Sequence, residues 1–158
     1  MEARQEQHAT FTLERRLDAP PAAVFAAWAE PALKRRWFGE ADGWEDVEHR
    51  LDFRVGGSEY SSARQPGGPR HVNETVILNI VPERRIVFAY TMRLDDRPIS
   101  TSLATVALEP DNGGTRLTYT EQGAFFDGLD GVASRQDGWT WLLGEMEKAM
   151  AATGAVQE

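Results

Sequence analysis

The sequence of 158 residues predicts an α+β protein in which one strand, two short helices, about six further strands and one long helix follow in order. Three observations support this class. Segments of alternating polar and apolar residues recur with turn signals about every ten residues, as in an antiparallel meander. Proline and alanine are concentrated after the first alternating segment, and the last segment has apolar residues at helical spacing. We expect a single domain over residues 1–158, with an ordered core at about 10–153.

A strand and a helix are expected before the meander. The segment TFTLERRLDA alternates, with Phe11 and Leu17 among its apolar positions, and predicts a strand of about eight residues. The segment APPAAVFAAWAE follows, and it predicts a helix because proline is tolerated in the first turn and alanine favours helix. Val24, Phe25 and Trp28 would share one face of this helix.

A second short helix, PALKRRW, is expected to end in three cations. Pro31 lies near its start, and Lys34, Arg35 and Arg36 occupy its last turn, where the helix dipole favours positive side chains. We therefore expect these cations to face solvent. Cations beside Trp37 can also mark a nucleic-acid surface, but a net charge of −8 repels a phosphate backbone. No nucleic-acid partner is expected.

The meander is expected to begin with strands at Trp44–Arg50 and Asp52–Ala63, the second bent at Gly56–Gly57. Four more alternating segments follow: HVNETVILNIV, IVFAYTM, STSLATVALE and RLTYTEQ. On the first of these, Val76 and Leu78 are among the residues expected on the apolar face. The Asn-Gly pair between the last two is a strong hairpin signal.

The C-terminal segment predicts a helix from Val132 to about Thr153, roughly 30 Å long. Its apolar stripe contains Val132, Trp139, Leu142, Leu143, Met146, Ala149 and Met150. Trp141 points away from this stripe, since each residue advances ~100° around the helix. An outward tryptophan can pack on a loop of its own chain. It can also anchor a partner, and we hold a homodimer through Trp141 as a hypothesis.

The chain resembles the Hsp90-ATPase-activator-homologue-like family of the START/Bet v 1-like superfamily in an ordered set of segments: APPAAVFAAWAEPALKRRWFG, LDFRVGGSEY, ETVILNIVPERRIVFAYTM, GGTRLTYTEQG and GWTWLLGEME. The similarity runs from about Phe11 to Met150. It implies a helix-grip fold, in which a curved antiparallel sheet of six or seven strands wraps around the long C-terminal helix. It also implies an internal, mostly apolar cavity between sheet and helix, with Trp37 and Phe38 at its rim.

The resemblance implies no single activity, because the superfamily includes lipid carriers, hormone receptors and cyclases. Our first expectation is a small-molecule binding protein with a lipid-like or aromatic ligand. Two alternatives stay open: a cyclase- or dehydratase-like enzyme that uses the same cavity, and an interaction module for a chaperone or another protein. The sequence contains no clear catalytic dyad, which ranks the enzyme lower. The eukaryotic chaperone cofactor uses an additional N-terminal domain that this chain lacks, which counts against Hsp90 activation.

Aromatic residues supply the main functional signal. They come from separate segments that should face the interior, and an apolar pocket with a few polar groups is the usual form of a ligand site. For any one of them, an ordinary packed core is the alternative. A central pocket is predicted between Trp28, Trp37, Phe88, Tyr90 and Trp139. The complete set of predicted lining residues is Trp28, Trp37, Phe53, Tyr60, Phe88, Tyr90, Tyr119, Arg135, Trp139, Leu142 and Met146.

Arg135 falls inside the apolar stripe of the last helix, where an inward guanidinium is costly unless it is paired. It could pair with Glu121 or Asp127, or bind an anionic ligand group. We favour a third arrangement, in which Arg135 lies at the helix end and extends to water. His71, beside a flexible loop, is not expected to act chemically.

No cofactor or metal is expected. Glu45, Asp46, Glu48, His49 and Asp52 form a carboxylate-histidine cluster, but alternation divides them between two faces of a strand, so a solvated strand is expected. The sequence has no cysteine and hence no disulfide or thiolate metal site. No apolar run approaches the ~20 residues that span a bilayer, and MEARQEQHAT lacks the apolar core of a signal peptide. We expect a cytoplasmic protein without a membrane partner.

Overall fold

The computed structural model describes residues 5–39 and 43–157, with side chains as far as residue 152. The elements in chain order are β1 (Glu6–Leu17), α1 (Pro21–Ala29), α2 (Pro31–Phe38), β2 (Glu45–Leu51), β3 (Ser58–Arg64), β4 (Arg70–Val81), β5 (Arg85–Leu94), β6 (Arg97–Asp111), β7 (Gly114–Phe126) and α3 (Val132–Gln157). The element order predicted from the sequence is confirmed. None of the described helices is long and apolar enough to cross a membrane.

In the described part of the chain the strands form one seven-stranded antiparallel sheet with the order β1-β7-β6-β5-β4-β3-β2. Strands β2 to β7 form a meander, and each pairs with its neighbour in sequence. Strand β1 closes the other edge by pairing with β7, so α1 and α2 connect the two edges of the sheet. The curved sheet and the long C-terminal helix form the α+β helix-grip fold that the family resemblance implied.

Helix α3 packs its apolar stripe against the inner face of the sheet and the two short helices. Trp139, Leu143 and Met146 are all buried, and Leu142 and Met150 are half-buried beside them. At 26 residues, α3 is about 39 Å long and exceeds the predicted length by one turn. Strand β1 starts at Glu6, before the start of the ordered core that was expected at about residue 10.

The glycine pair after β2 forms a turn and does not bend a strand. The predicted strand Asp52–Ala63 is wrong in its first half, because β3 begins only at Ser58. Gly56 has a φ of +85°, and a Cβ on Gly57 would lie 2.1 Å from the carbonyl oxygen of Asp52. This turn therefore needs glycine at both positions.

Strand β4 presents a different face to the core than the sequence suggested. Val76 and Leu78 were expected inside, but their side chains are 48% and 47% exposed. Thr75 and Ile77 point inward instead, and the register shifts between Ile77 and Asn79. The bulge explains the imperfect alternation of this segment. The Asn-Gly hairpin between β6 and β7 is confirmed, with positive φ at both residues.

Helix α2 is tied to the sheet by a buried charge cluster of Lys34, Glu59 and His49. Lys34 was expected in solvent, but it is buried and its Nζ lies 2.9 Å from Glu59 Oε1. His49 Nε2 lies 2.7 Å from Glu59 Oε2, so the expectation of a fully solvated β2 was also wrong. Burial acts to raise the pKa of Glu59, but Lys34 and His49 outweigh it, and the pKa is lowered. The carboxylate of Glu59 makes this placement possible, because a buried ammonium group is costly unless it is paired.

Candidate functional site

A cleft of about 470 Å³ opens between the N-terminal half of α3 and the inner face of the sheet. The sheet contributes residues from β3 to β6, and α2 and the segments next to β2 and α3 complete the walls. The lining is mostly apolar. The lining residues are Phe38, Gly39, Trp44, Ser61, Ala63, His71, Asn73, Tyr90, Met92, Leu94, Ile99, Leu129, Asp130, Ser134, Arg135, Gly138, Trp139, Trp141 and Leu142.

Large aromatic side chains form much of the wall. Trp139 is buried at the floor, whereas Trp141 is 51% exposed at the opening. Trp44 stands edge-on to the ring of His71, with 5.0 Å between the ring centroids. Burial lowers the pKa of His71, against the opposing influence of the carboxylates of Asp130 and Asp95. The imidazole is therefore neutral at pH 7.

Gly138 keeps the helical wall of the cleft open. It lies in the interior of α3, where glycine is less favourable than alanine by about 0.5–1 kcal/mol. A Cβ at this position would meet no atom within 4 Å, so no close packing on another element requires glycine here. Any larger side chain would extend toward the cleft, because the residue lines it.

The floor of the cleft is closed by a buried polar network centred on Glu121. Its carboxylate accepts four hydrogen bonds. Oε1 accepts from the hydroxyls of Tyr90 at 2.6 Å and Tyr119 at 2.7 Å. Oε2 accepts from Ser102 at 2.8 Å and from Arg135 at 3.1 Å. Four donors around two oxygens use the acceptor capacity of this carboxylate within the protein.

Arg135 belongs to this network and does not extend to water. It is 5% exposed, and its Nη2 donates to Asp130 at 2.5 Å and to Ser100 at 2.7 Å. The favoured arrangement at the helix end was wrong, because two carboxylates compensate the guanidinium inside the fold. The alternative pairing with Glu121 is confirmed, and the second carboxylate is that of Asp130.

The polar groups of this network are all hydrogen-bonded within the protein. The Tyr90 hydroxyl donates to Glu121 and accepts from Arg135 Nη1 at 3.0 Å and from Trp139 Nε1 at 3.1 Å. Burial raises the pKa of both Tyr90 and Tyr119, so the two phenols stay protonated. Burial would lower the pKa of Arg135, but Tyr90 and the nearby carboxylates raise it. The groups of the floor thus hold one another through hydrogen bonds within the protein.

The central pocket predicted between five aromatic residues is filled. Trp28 packs against Trp37 with ring centroids 4.8 Å apart and against Trp139 at 6.0 Å. Phe88 contacts Trp28 and Trp139, each at 6.4 Å. The void beside Trp28 and Phe88 measures only about 10 Å³. Of the five residues, only Tyr90 and Trp139 line the cleft, which lies further toward the N-terminus of α3.

The remaining predicted residues divide between core, cleft and outer surface. Leu142 lines the cleft, Met146 is buried in the core, and Tyr119 lies beneath the cleft floor, stacked on Trp139 at 4.2 Å. Phe53 packs edge-on against Phe25 and lines the small void. Tyr60 was expected inside, but it lies on the outer face of the sheet, where the guanidinium of Arg50 stacks on its ring.

Sequence reasoning missed several residues that shape the site. Trp44 and His71 border loops, which hid their inward orientation. Asp130 precedes α3 and carries no periodic signal. The inward position of Glu121 was readable, because it continues the alternation of Leu117 and Tyr119 along β7. No group of three potential metal ligands comes together among the described residues.

The fold and the cleft define a helix-grip protein of the START/Bet v 1-like superfamily. Residues 18–151 match the family model for Activator of Hsp90 ATPase homolog 1-like protein, and the chain belongs to this family. Among curated proteins, none matches the chain with significant similarity.

Solved structures of bacterial proteins are similar over nearly the whole chain. An uncharacterised protein from Rhizobium leguminosarum is 39% identical, with a TM-score of 0.91 over 95% of this chain and 99% of that one. The Mll3558 protein from Rhizobium loti is 46% identical, with a TM-score of 0.85 over 92% of this chain and 99% of that one. An AHSA1-like protein from Aeromonas hydrophila, 22% identical with a TM-score of 0.71 over 92% and 94% of the two chains, shares the fold.

Proposed function

We propose that this protein binds a small, predominantly apolar or aromatic molecule in the cleft between α3 and the sheet. The cleft itself carries the proposal. Its volume of about 470 Å³ falls in the range of about 300–1,000 Å³ that is typical of small-molecule sites. Its lining combines aromatic and aliphatic walls with a few polar groups, which is the usual composition of such sites.

The closed polar network favours binding over catalysis in this cleft. A general acid or base must reach the substrate with a free proton or lone pair. Tyr90, Glu121 and Arg135 hold one another through hydrogen bonds, and the raised pKa of Tyr90 opposes its use as a base. A rigid wall of this kind suits recognition, because little side-chain freedom is lost when a ligand binds.

The position of Gly138 gives further support. A glycine inside a helix lowers helix stability, and at this position it leaves space in the cleft without serving a close contact elsewhere. Such a glycine is expected where a ligand occupies the space that a larger side chain would fill. We therefore expect a side chain at position 138 to compete directly with a bound molecule.

Binding is tested with a neutral fluorescent dye such as N-phenylnaphthylamine. We expect the dye to bind native protein with micromolar affinity, gain fluorescence and quench tryptophan emission from the cleft. Gly138→Phe should weaken this binding by about tenfold or more, a loss of at least about 1.4 kcal/mol. The matched control is Gly144→Phe, since Gly144 is also on α3 with open space around it but does not line the cleft.

The two variants separate the cleft from other dye sites. Equal binding by both variants and the native protein would place the dye elsewhere and contradict the proposal. A complete lack of dye binding to native, folded protein, repeated with aliphatic and aromatic probes, would contradict it as well.

A further inference from the structure

We propose that the cleft selects a hydrophobic organic cation, meaning a protonated amine or quaternary ammonium group carried on an apolar body. This inference rests on the proposed binding function and names the ligand class for the same cleft. It is argued from the charge of the cleft floor, from the aromatic walls and from the state of the nearby basic groups.

The cleft floor has an excess of negative charge. Two carboxylates, Glu121 and Asp130, compensate one guanidinium, Arg135, and this leaves one formal negative charge on the three groups. Among the described residues that line the cleft, Arg135 is the one lysine or arginine. Both of its terminal nitrogens already donate to carboxylates and hydroxyls. An anionic ligand would therefore find no available cationic partner and would face Asp130.

Other basic groups near the cleft do not reverse this balance, and His49 is paired with Glu59. His71 faces the cleft from β4, where burial keeps it neutral at pH 7 although Asp130 and Asp95 act in the opposite direction. Lys34 lies behind the ring of Phe38, with its Nζ 4.6 Å from the centroid, and is paired with Glu59 at 2.9 Å. The local potential is therefore set by the carboxylates.

The walls offer the surfaces that organic cations prefer. Five aromatic side chains line the cleft, and three of them, Trp44, Trp139 and Trp141, are tryptophans. Tryptophan has the most favourable ring for a cation, and the attraction increases when the site is partly shielded from water. Trp141, half-exposed at the opening, could cover the apolar body of such a ligand. Contact with a ligand would then account for the exposed Trp141 side chain without a second protein chain.

The experiment compares three probes that share a naphthalene ring and differ in charge: naphthylmethylammonium, naphthalenemethanol and naphthoate. Each is titrated as a competitor of the neutral dye at low salt and pH 7. We expect the cation to bind about tenfold tighter than the anion, with the neutral alcohol between them. The preference should shrink in high salt, because exposed charges are screened.

Asp130→Asn and Asp137→Asn form a matched pair of variants. Both remove one carboxylate, but Asp137 lies on the exposed side of α3 and does not line the cleft. Asp130→Asn should reduce the ratio of cation affinity to alcohol affinity several-fold. Asp137→Asn should leave the preference intact. If both variants reduce the preference equally, the net charge of −8 and not the cleft is responsible, and the inference is overturned.

The outcomes separate this inference from the function on which it rests. If no probe displaces the dye, the binding function fails and the cation preference fails with it. If the alcohol binds but the cation has no advantage, or the anion binds best, only the cation preference is refuted. The native protein alone is sufficient for either of these refutations, so they do not depend on the folding of Asp130→Asn.

Discussion

Replacement of Glu121 by glutamine tests whether the buried network is held by charge. The side chain is fully buried, and its carboxylate accepts from two tyrosines, Ser102 and Arg135. Glutamine preserves the volume but presents one acceptor oxygen and one NH₂ group. If the oxygen faces Arg135, the NH₂ group points at the tyrosine hydroxyls. The Tyr90 hydroxyl already accepts from Arg135 and Trp139, so it must give up a donor.

The expected destabilisation follows from these contacts. Loss of a hydrogen bond to a charged group lowers the free energy of unfolding by about 1.5–3 kcal/mol. Removing one of the two carboxylates that compensate the buried guanidinium lowers it further. Asp130 still compensates Arg135, which keeps the total at about 3 kcal/mol. For a chain of this length the midpoint of thermal unfolding should fall by about 6–12 °C.

Urea denaturation followed by circular dichroism measures this difference, with the thermal midpoint as a second observable. The control is Glu14→Gln on the exposed side of β1, for which we expect a change within about 0.5 kcal/mol. A loss below about 0.5 kcal/mol for Glu121→Gln would refute the description of a carboxylate that accepts four buried hydrogen bonds.

Three further predictions concern the helix, the buried charge cluster and the exposed tryptophan. Gly138→Ala should stabilise the protein by about 0.5–1 kcal/mol in urea titrations, because it removes a helical glycine without a clash; a loss of stability would show that the position is constrained. The pKa of Glu59 lies below its ordinary value of 4.5 in the folded state, so its contribution to stability is present above pH 4.5 and is lost as the pH falls through the folded-state pKa. The free energy of unfolding should therefore decline on acidification, and Glu59→Gln should flatten that decline while lowering stability near neutral pH; parallel pH profiles would contradict this. For Trp141, the proposed homodimer predicts a concentration-dependent mass in sedimentation that Trp141→Ala abolishes, and a monomeric mass for both proteins in the micromolar range would rule it out.

The periodicity of apolar residues predicted most helices and strands of this protein, because each helix or strand depends largely on its own local sequence. The alternation in β5, the helical stripe of α3 and the Asn-Gly turn each reflect the conformation of a few neighbouring residues. The family resemblance then supplied the helix-grip arrangement. The predicted strand Asp52–Ala63 was wrong because this segment contains a turn. In the turn, Gly57 lies against the backbone carbonyl of Asp52, five positions earlier.

The site was predictable in its composition but not in its location. The sequence indicated that aromatic residues would meet between sheet and helix, and Tyr90 and Trp139 line the cleft there. The arrangement favoured for Arg135, extended to water, was wrong. It could not indicate that Trp28, Trp37 and Phe88 fill the centre, because packing depends on how side chains from four elements interlock.

Charged residues separate most clearly what the sequence and the tertiary structure decide. From the sequence, Lys34 and Arg135 occupy positions near helix ends, where local electrostatics favour contact with water. In the fold both are buried, because Glu59 and Glu121 arrive from strands 25 and 14 residues away and compensate their charge. The sequence alone therefore determined the order of the elements and the apolar stripe of α3. Only the tertiary structure decides which charges meet, since burying a charge is favourable only when a partner is brought to it from elsewhere in the chain.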